Sequence, residues 1–169
     1  MSRHDITVKE TGGRNSLPTD RWVVALGTPP TIKAGEPCKQ NAAGDENVIL
    51  LVDADFTVDT DNPMAGIAVI DSNEVAAAAG YVDCYVPLPD IKWEIKAKTA
   101  ANADTQAEID ALIGCYEIID LTSSVFTMDT TGTQVVTGAF LTVGGDPNRS
   151  TIWFRIRPAA CAFGRAKIT

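Results

Sequence analysis

The sequence has few of the residues on which catalysis depends. It contains a single histidine, His4, and no G-x-S-x-G motif, and its segment GGDPNR lacks the Lys-Ser/Thr pair of a phosphate-binding loop. A Ser-His or Cys-His pair would need a base at the start of the chain, where no periodic pattern predicts ordered structure. We therefore expect no enzyme, no catalytic residue and no cofactor.

Long apolar runs are also missing. The segment MSRHDITVKETGG that begins the sequence is polar and lacks the apolar region of a signal peptide. No run of about 18 apolar residues, the length that crosses a bilayer, occurs anywhere in the chain. Neither a secretory signal nor a membrane partner is predicted.

Cysteine is present but widely spaced. No two cysteines lie closer than 31 positions, whereas zinc sites use closely spaced pairs. Cys84 alternates with Val82 and Val86 on one side of a predicted strand, where a small buried hydrophobic residue is expected. We expect four reduced structural cysteines, with a disulfide as the alternative. The four are Cys38, Cys84, Cys115 and Cys161.

Positive charge is scarce in the body of the chain. The formal net charge is −8, and residues 22–148 carry five basic against nineteen acidic side chains. Because such an acidic body repels phosphate backbones, nucleic acid is not an expected partner. The last 21 residues carry five basic side chains and no acidic one. This basic segment suits contact with an acidic protein surface.

Four carboxylates stand close together in VDADFTVDTDNPMAG, residues 52–66: Asp53, Asp55, Asp59 and Asp61. An EF-hand count that begins at Asp53 finds Val58 where glycine is needed and Met64 where a bidentate glutamate is needed. We therefore favour the solvated face of a strand that leads into a turn, and we predict no metal site. An irregular cation site is the alternative.

The sequence does contain a β-rich pattern. From residue 31 onwards, short runs of Val, Ile and Thr are separated by turn signals roughly every ten residues. This pattern predicts one mainly β domain over residues 31–169, a compact β-sandwich or β-barrel-like fold. Residues 1–30 show no sustained period and predict an extended N-terminal arm.

The predicted arm contains one apolar cluster, RWVVALG. This cluster is too apolar to remain in water without a partner. We expect Trp22, Val23, Val24 and Leu26 to lie against another subunit, where an added strand would supply backbone hydrogen bonds. The alternative is that residues 22–26 form an ordinary first strand of the same domain.

One short helix is predicted near residues 105–113, in the segment ANADTQAEIDALIG. Thr105 and Glu108 have the spacing of a capping box, and Gly114 is placed to end the helix. The predicted apolar face comprises Ile109, Leu112 and Ile113.

The last predicted strand, STIWFRIRP, is amphipathic. Its alternation places Ile152, Phe154 and Ile156 on one side. The other side carries Trp153, Arg155 and Arg157, and we interpret it as an interface. A sugar-binding platform at Trp153 is the alternative, although such platforms use several aromatic residues on one face.

The order of segments resembles the capsid decoration, or cement, proteins of tailed bacteriophages. The resemblance lies in IKAGEPCKQ, ADFTVD and MAGIAVID, then AAAAGYVDCYVPLP, then DTQAEIDALIGCYEIIDLTSSVFTMD, and finally FLTVGGDP with TIWFRIRP. It covers roughly residues 31–165. These motifs are structural and carry no catalytic signature.

The resemblance implies a structural virion protein that binds and stabilises the outer surface of an icosahedral capsid. Its expected partners are the major capsid protein and copies of itself, as a homotrimer at three-fold and quasi-three-fold positions. Its expected location is the outer surface of the virion, after synthesis in the bacterial host cytoplasm. The alternative function is a carbohydrate- or receptor-binding β-module of a phage head fibre or adhesin.

Overall fold

The computed structural model describes residues 6–24, 32–41, 47–50, 63–75, 78–122, 125–130 and 138–161. These ranges contain one α-helix, α1 (Gln106–Leu112), and eleven β-strands. The strands are β1 (Ile6–Glu10), β2 (Thr19–Val24), β3 (Pro37–Gln40), β4 (Asn47–Leu50), β5 (Met64–Ala68), β6 (Gly80–Tyr85), β7 (Lys92–Lys96), β8 (Tyr116–Thr122), β9 (Val125–Asp129), β10 (Phe140–Asp146) and β11 (Thr151–Ile156). The prediction of a mainly β fold of sandwich or barrel type with one short helix is confirmed.

The strands are arranged in two sheets. Six of them form a sheet in the order β1-β7-β11-β10-β8-β9, with antiparallel neighbours throughout. The other five close into a small barrel in the order β2-β4-β3-β5-β6, in which β2 and β4 are parallel. Along the described residues, the chain runs from the six-stranded sheet at β1 into the barrel and returns at β7 to complete the first sheet.

The main hydrophobic core lies against the inner face of the six-stranded sheet. Trp93 and Ile95 of β7 and Ile152 and Phe154 of β11 are buried there, because alternate residues of a strand point to the same face. The rings of Phe140 and Phe154 meet edge to face, with 5.3 Å between their centroids. The same alternation leaves the intervening residues of β7 and β11 on the outer face.

A smaller core fills the barrel and contains two of the four cysteines. Cys38 and Cys84 are fully buried beside Val82, as the strand pattern predicted for Cys84. A hydrogen bond with the Cys84 thiol, together with burial, raises the pKa of Cys38 well above its usual value. All four thiols are free, and burial raises the pKa of Cys161 to about 12. The prediction of reduced cysteines agrees with this arrangement.

Helix α1 forms where the capping box predicted it. The Thr105 side chain accepts a hydrogen bond from the Glu108 amide, and the Glu108 carboxylate accepts one from the Thr105 amide. Gly114 has φ +86°, a conformation that glycine adopts readily after a helix end. Ile113 is half exposed beyond the last turn, so its predicted place on the apolar face is wrong. None of the helices that the structure describes is long and apolar enough to span a membrane.

The prediction of an extended arm over residues 1–30 is corrected for the two strands that lie within it. Strand β1 pairs with β7, and β2 pairs with β6 along its whole length. Trp22 and Val24 face the barrel interior, where β6 of the same chain supplies the apolar partner that the arm was expected to find on another subunit. The alternative of an ordinary strand is therefore right for β2. The predicted domain boundary near residue 30 is wrong as well. Strands β1 and β2 precede it, yet β1 pairs with β7 and β2 pairs with β4 and β6, which all follow it.

Candidate interaction face

The outward side chains of β1, β7 and β11 form one continuous charged surface. We call it the Trp153 face, and it comprises Lys9, Lys92, Glu94, Lys96, Thr151, Trp153 and Arg155, with Arg149 two residues before β11. The strand registers bring these residues together. Glu94 of the central strand β7 lies between Trp153 of β11 on one side and Thr7 of β1 on the other. Two of the predicted interface residues, Trp153 and Arg155, therefore belong to this surface.

The centre of the face is a hydrogen bond between Trp153 and Glu94. The indole N–H of Trp153 donates to Oε2 of Glu94 at 2.9 Å, and Glu94 is only 6% exposed. Two cations complete the pairing, with Arg149 Nη1 at 2.9 Å from Oε1 and Lys9 Nζ at 3.5 Å from Oε2. The Thr151 hydroxyl lies 3.4 Å from Oε2. The buried carboxylate thus holds the indole and two cations in place.

The same contacts decide the charge state of Glu94. Burial by itself raises the pKa of this carboxyl, because it disfavours the charged form. The hydrogen bond from Trp153 and the charges of Arg149 and Lys9 outweigh burial, so that the pKa lies below its usual value. Glu94 is therefore an anion at neutral pH.

The indole ring of Trp153 is flanked by cations and rests over a glycine. Lys9 Nζ and Lys92 Nζ lie 4.7 and 5.4 Å from the ring centroid, within the range of cation–π attraction. On the neighbouring strand Gly144 has φ +155°, and a Cβ added there would lie 3.0 Å from Cε3 of the ring. Glycine at this position makes room for the indole.

The Trp153 face is cationic on an acidic chain. The face carries five basic side chains and the carboxylate of Glu94, whereas the whole chain carries −8. The five are Lys9, Lys92, Lys96, Arg149 and Arg155. Lys92 is also paired with Glu10 at the rim, at 2.6 Å. Cationic surfaces attract negatively charged molecules at long range, and aromatic side chains are frequent anchors of protein interfaces.

A groove of about 650 Å³ opens where β1 ends. Its lining consists of Val8, Lys9, Glu10, Thr11, Gly12, Gly13, Asp90 and Arg155. Gly12 and Gly13 both have positive φ, at +64° and +81°, and turn the chain at the end of the strand. Arg14 closes one rim by pairing with Asp90 at 2.5 Å. The groove thus continues the Trp153 face beside β1.

The remaining predicted interface residues lie elsewhere. Arg157 follows β11, and its guanidinium lies 4.0 Å from the Tyr116 ring and donates to the Gly138 carbonyl. The structure therefore does not place Arg157 with Trp153 and Arg155. Of the cluster in β2, Val23 is 41% exposed, whereas Trp22 and Val24 pack into the barrel. Leu26 lies outside the described residues.

The aspartate cluster predicted as a solvated strand face also lies outside the described residues, since Asp53, Asp55, Asp59 and Asp61 fall in the range 51–62. Among the residues that are described, no group of three or more His, Cys, Asp or Glu could hold a metal ion.

The sequence reasoning missed the residues around Trp153. The alternation in KWEIK of β7 is a signal that Lys92, Glu94 and Lys96 share one face. Strand order is the missing information, because Lys9 and Trp153 reach Glu94 only after β1 and β11 have paired with β7 on its two sides.

A second carboxyl is buried away from this face. Glu117 of β8 is 1% exposed, and its Oε1 has no hydrogen-bond partner among the described residues. Burial, assisted by the negative charge of Asp129, raises the pKa of Glu117 to about 7. This residue makes folding stability depend on pH, because its pKa differs between the folded and unfolded states.

Comparison with known proteins returns no match, whether with family models, with curated proteins or with solved structures.

Proposed function

We propose that this chain is a decoration protein of a tailed bacteriophage, which binds the outer surface of the icosahedral capsid and stabilises it. The observation that carries the proposal is the Trp153 face, a cationic and aromatic surface on a chain of net charge −8. Segment order provides the second support, because it resembles that of decoration proteins.

The composition of the face suits binding to a protein. Tryptophan and arginine are enriched among the residues that dominate interface energies. Trp153 is held by Glu94 and seated over Gly144, so that little side-chain entropy is lost when a partner covers it. The partner of the proposal is the major capsid protein, which would present acidic side chains to Lys96, Arg149 and Arg155.

Self-association is part of the proposal. A head-to-tail contact between neighbouring copies, made by surfaces other than the Trp153 face, joins two different patches, and such contacts form a ring where the rotation between copies closes. We propose a homotrimer at three-fold and quasi-three-fold positions, on the outer surface of the virion, with synthesis in the host cytoplasm.

Co-sedimentation with capsids tests the proposal. The capsids are assembled from the major capsid protein of the genome that encodes this chain, without any decoration protein. We expect wild-type chain to pellet with them, and the double variant Trp153→Ala/Arg155→Glu to stay in the supernatant. Lys39→Glu is the matched control, since it reverses a charge on β3 of the barrel.

The opposite results are equally informative. Absence of wild-type chain from the pellet contradicts the proposal, as does undiminished binding of the double variant. Binding to a glycan array in place of capsids would favour the carbohydrate-binding alternative.

A further inference from the structure

We infer that the outer edge of β1 is an acceptor for an extended acidic peptide segment of the partner protein, which adds to the six-stranded sheet as a further strand. The inference deepens the proposed function, on which it rests for the identity of the partner. It reverses the role that the sequence suggested for this region, because β1 is paired within the chain and offers its free edge to a partner.

The first support is the position of β1 in the sheet. It is the terminal strand of the order β1-β7-β11-β10-β8-β9, with β7 on one side only. The Ile6 amide points away from β7, since it donates to the Gly35 carbonyl at 3.2 Å. Backbone groups of residues two apart point the same way in a strand, so that the amide and carbonyl of Val8 also face outward.

The second support is that the outward groups of Val8 are unoccupied by the described part of the chain. Outside the ladder with β7, no backbone carbonyl of the described residues accepts a hydrogen bond from the Val8 amide. Val8, Lys9 and Glu10 line the 650 Å³ groove, which gives an added strand space. An open strand edge with unpaired backbone groups is a template for strand addition.

The charged side chains of the groove indicate which kind of peptide segment would bind there. Lys9 points to the outer face beside the edge, and Arg155 lines the same groove and is exposed. The acids of the groove are already paired, Glu10 with Lys92 and Asp90 with Arg14. Lys9 is paired with Glu94, so that Arg155 is the basic side chain of the lining that makes no salt bridge with a described residue. Because side chains at alternate positions of an extended peptide point to the same side, acidic residues two apart would face this cationic surface.

Hydrogen exchange of individual amides, followed by NMR on the full chain, tests the inference. The probe is a nine-residue peptide of alternating Thr and Glu, and the control peptide alternates Thr and Lys. We expect the Thr-Glu peptide to raise the protection of the Val8 amide at least tenfold. The Thr7 amide is the internal control, because Thr7 already faces Glu94 across the ladder and its protection should stay constant.

A charge-reversal variant distinguishes specific binding at the β1 edge from non-specific binding of the peptide. Arg155→Glu should weaken binding of the Thr-Glu peptide about tenfold, while Lys39→Glu leaves it unchanged. An unprotected Val8 amide at millimolar peptide, or equal protection by the Thr-Lys peptide, overturns the inference.

The two proposals fail separately. If the Thr-Glu peptide protects the Val8 amide but the chain does not bind capsids, the proposed function is contradicted and the β1 edge is still an acceptor. Capsid binding without protection of Val8 overturns the edge inference and leaves the proposed function in place.

Discussion

The indole N–H of Trp153 donates a 2.9 Å hydrogen bond to the carboxylate of Glu94, across the pairing of β11 with β7. This bond joins an aromatic residue of a cationic surface to a carboxylate that is almost entirely buried. Two further cations, Arg149 and Lys9, depend on the same carboxylate. Substitutions at this pair therefore test both the stability of the fold and the proposed interface.

Glu94→Gln should destabilise the fold by about 1–3 kcal/mol, the usual cost of breaking hydrogen bonds to a buried charged group. The substitution removes the anion that Arg149 and Lys9 face. Urea unfolding at pH 7 measures the effect. Glu10→Gln is the matched control, because its ion pair with Lys92 has an exposed carboxylate and should add no measurable stability. Equal stability of the two variants would contradict the role of Glu94.

Gly144→Ala should cost more stability than Gly114→Ala, although both glycines have positive φ. At both positions a residue with a Cβ pays a conformational cost of about 1–3 kcal/mol for the positive φ. At Gly144 the added methyl also lies 3.0 Å from the Trp153 ring, whereas at Gly114 no atom lies within 4 Å. We expect a further loss of about 1–2 kcal/mol and a shift of tryptophan fluorescence for the Gly144 variant alone. Indistinguishable melting curves of the two variants would contradict the close contact between Gly144 and the Trp153 ring.

Glu117→Gln should raise stability at high pH and leave it unchanged at low pH. The carboxyl has a pKa of about 7 in the folded chain and an ordinary value near 4.5 when unfolded. The folded state therefore binds more protons between these values, so that wild-type stability falls as pH rises from about 4.5 to 7 and stays low above that.

The variant lacks this titration. At pH 8 it should be more stable than wild type by about 3–4 kcal/mol, given about 1.4 kcal/mol for each of the roughly 2.5 pKa units between the folded and unfolded values. Thermal unfolding at pH 4 and pH 8 measures the difference. A gain of the same size at both pH values would show that the titration of Glu117 is not its cause.

Removal of residues 1–24 should abolish cooperative folding. The deletion takes away β1 and β2, and with them the core residues Ile6 and Val24 and one wall of the barrel. Circular dichroism and thermal melting of the truncated chain provide the measurement. A soluble truncated protein with a cooperative transition would support the arm that the sequence suggested and contradict the pairing of β1 with β7.

Local features of the fold could be predicted from the sequence, and long-range ones could not. The capping box of Thr105 and Glu108 involves neighbours in the chain, and the alternation in β11 depends on residues of one strand. The pairing of β2 with β6 joins residues about 60 positions apart, and nothing in RWVVALG states that its partner lies in the same chain. Apolarity indicated that a partner exists, but it did not indicate which one.

The same limit applies to the candidate site. Trp153 and Arg155 could be predicted from alternation within one strand. Arg157 was misplaced because the strand ends at Ile156, after which the alternation no longer holds. Glu94 could not be recognised as the centre of the surface, because its burial depends on side chains that β1 and β11 bring from both sides.

The most direct test of the central claim is electron cryo-microscopy of capsids with and without the chain. The account predicts additional density on the outside of the shell at three-fold and quasi-three-fold positions, with the Trp153 face covered by protein. Density in which Trp153, Arg149 and Arg155 face open solvent would contradict the assignment of the interface. Absence of additional density at saturating chain would contradict the proposed function itself.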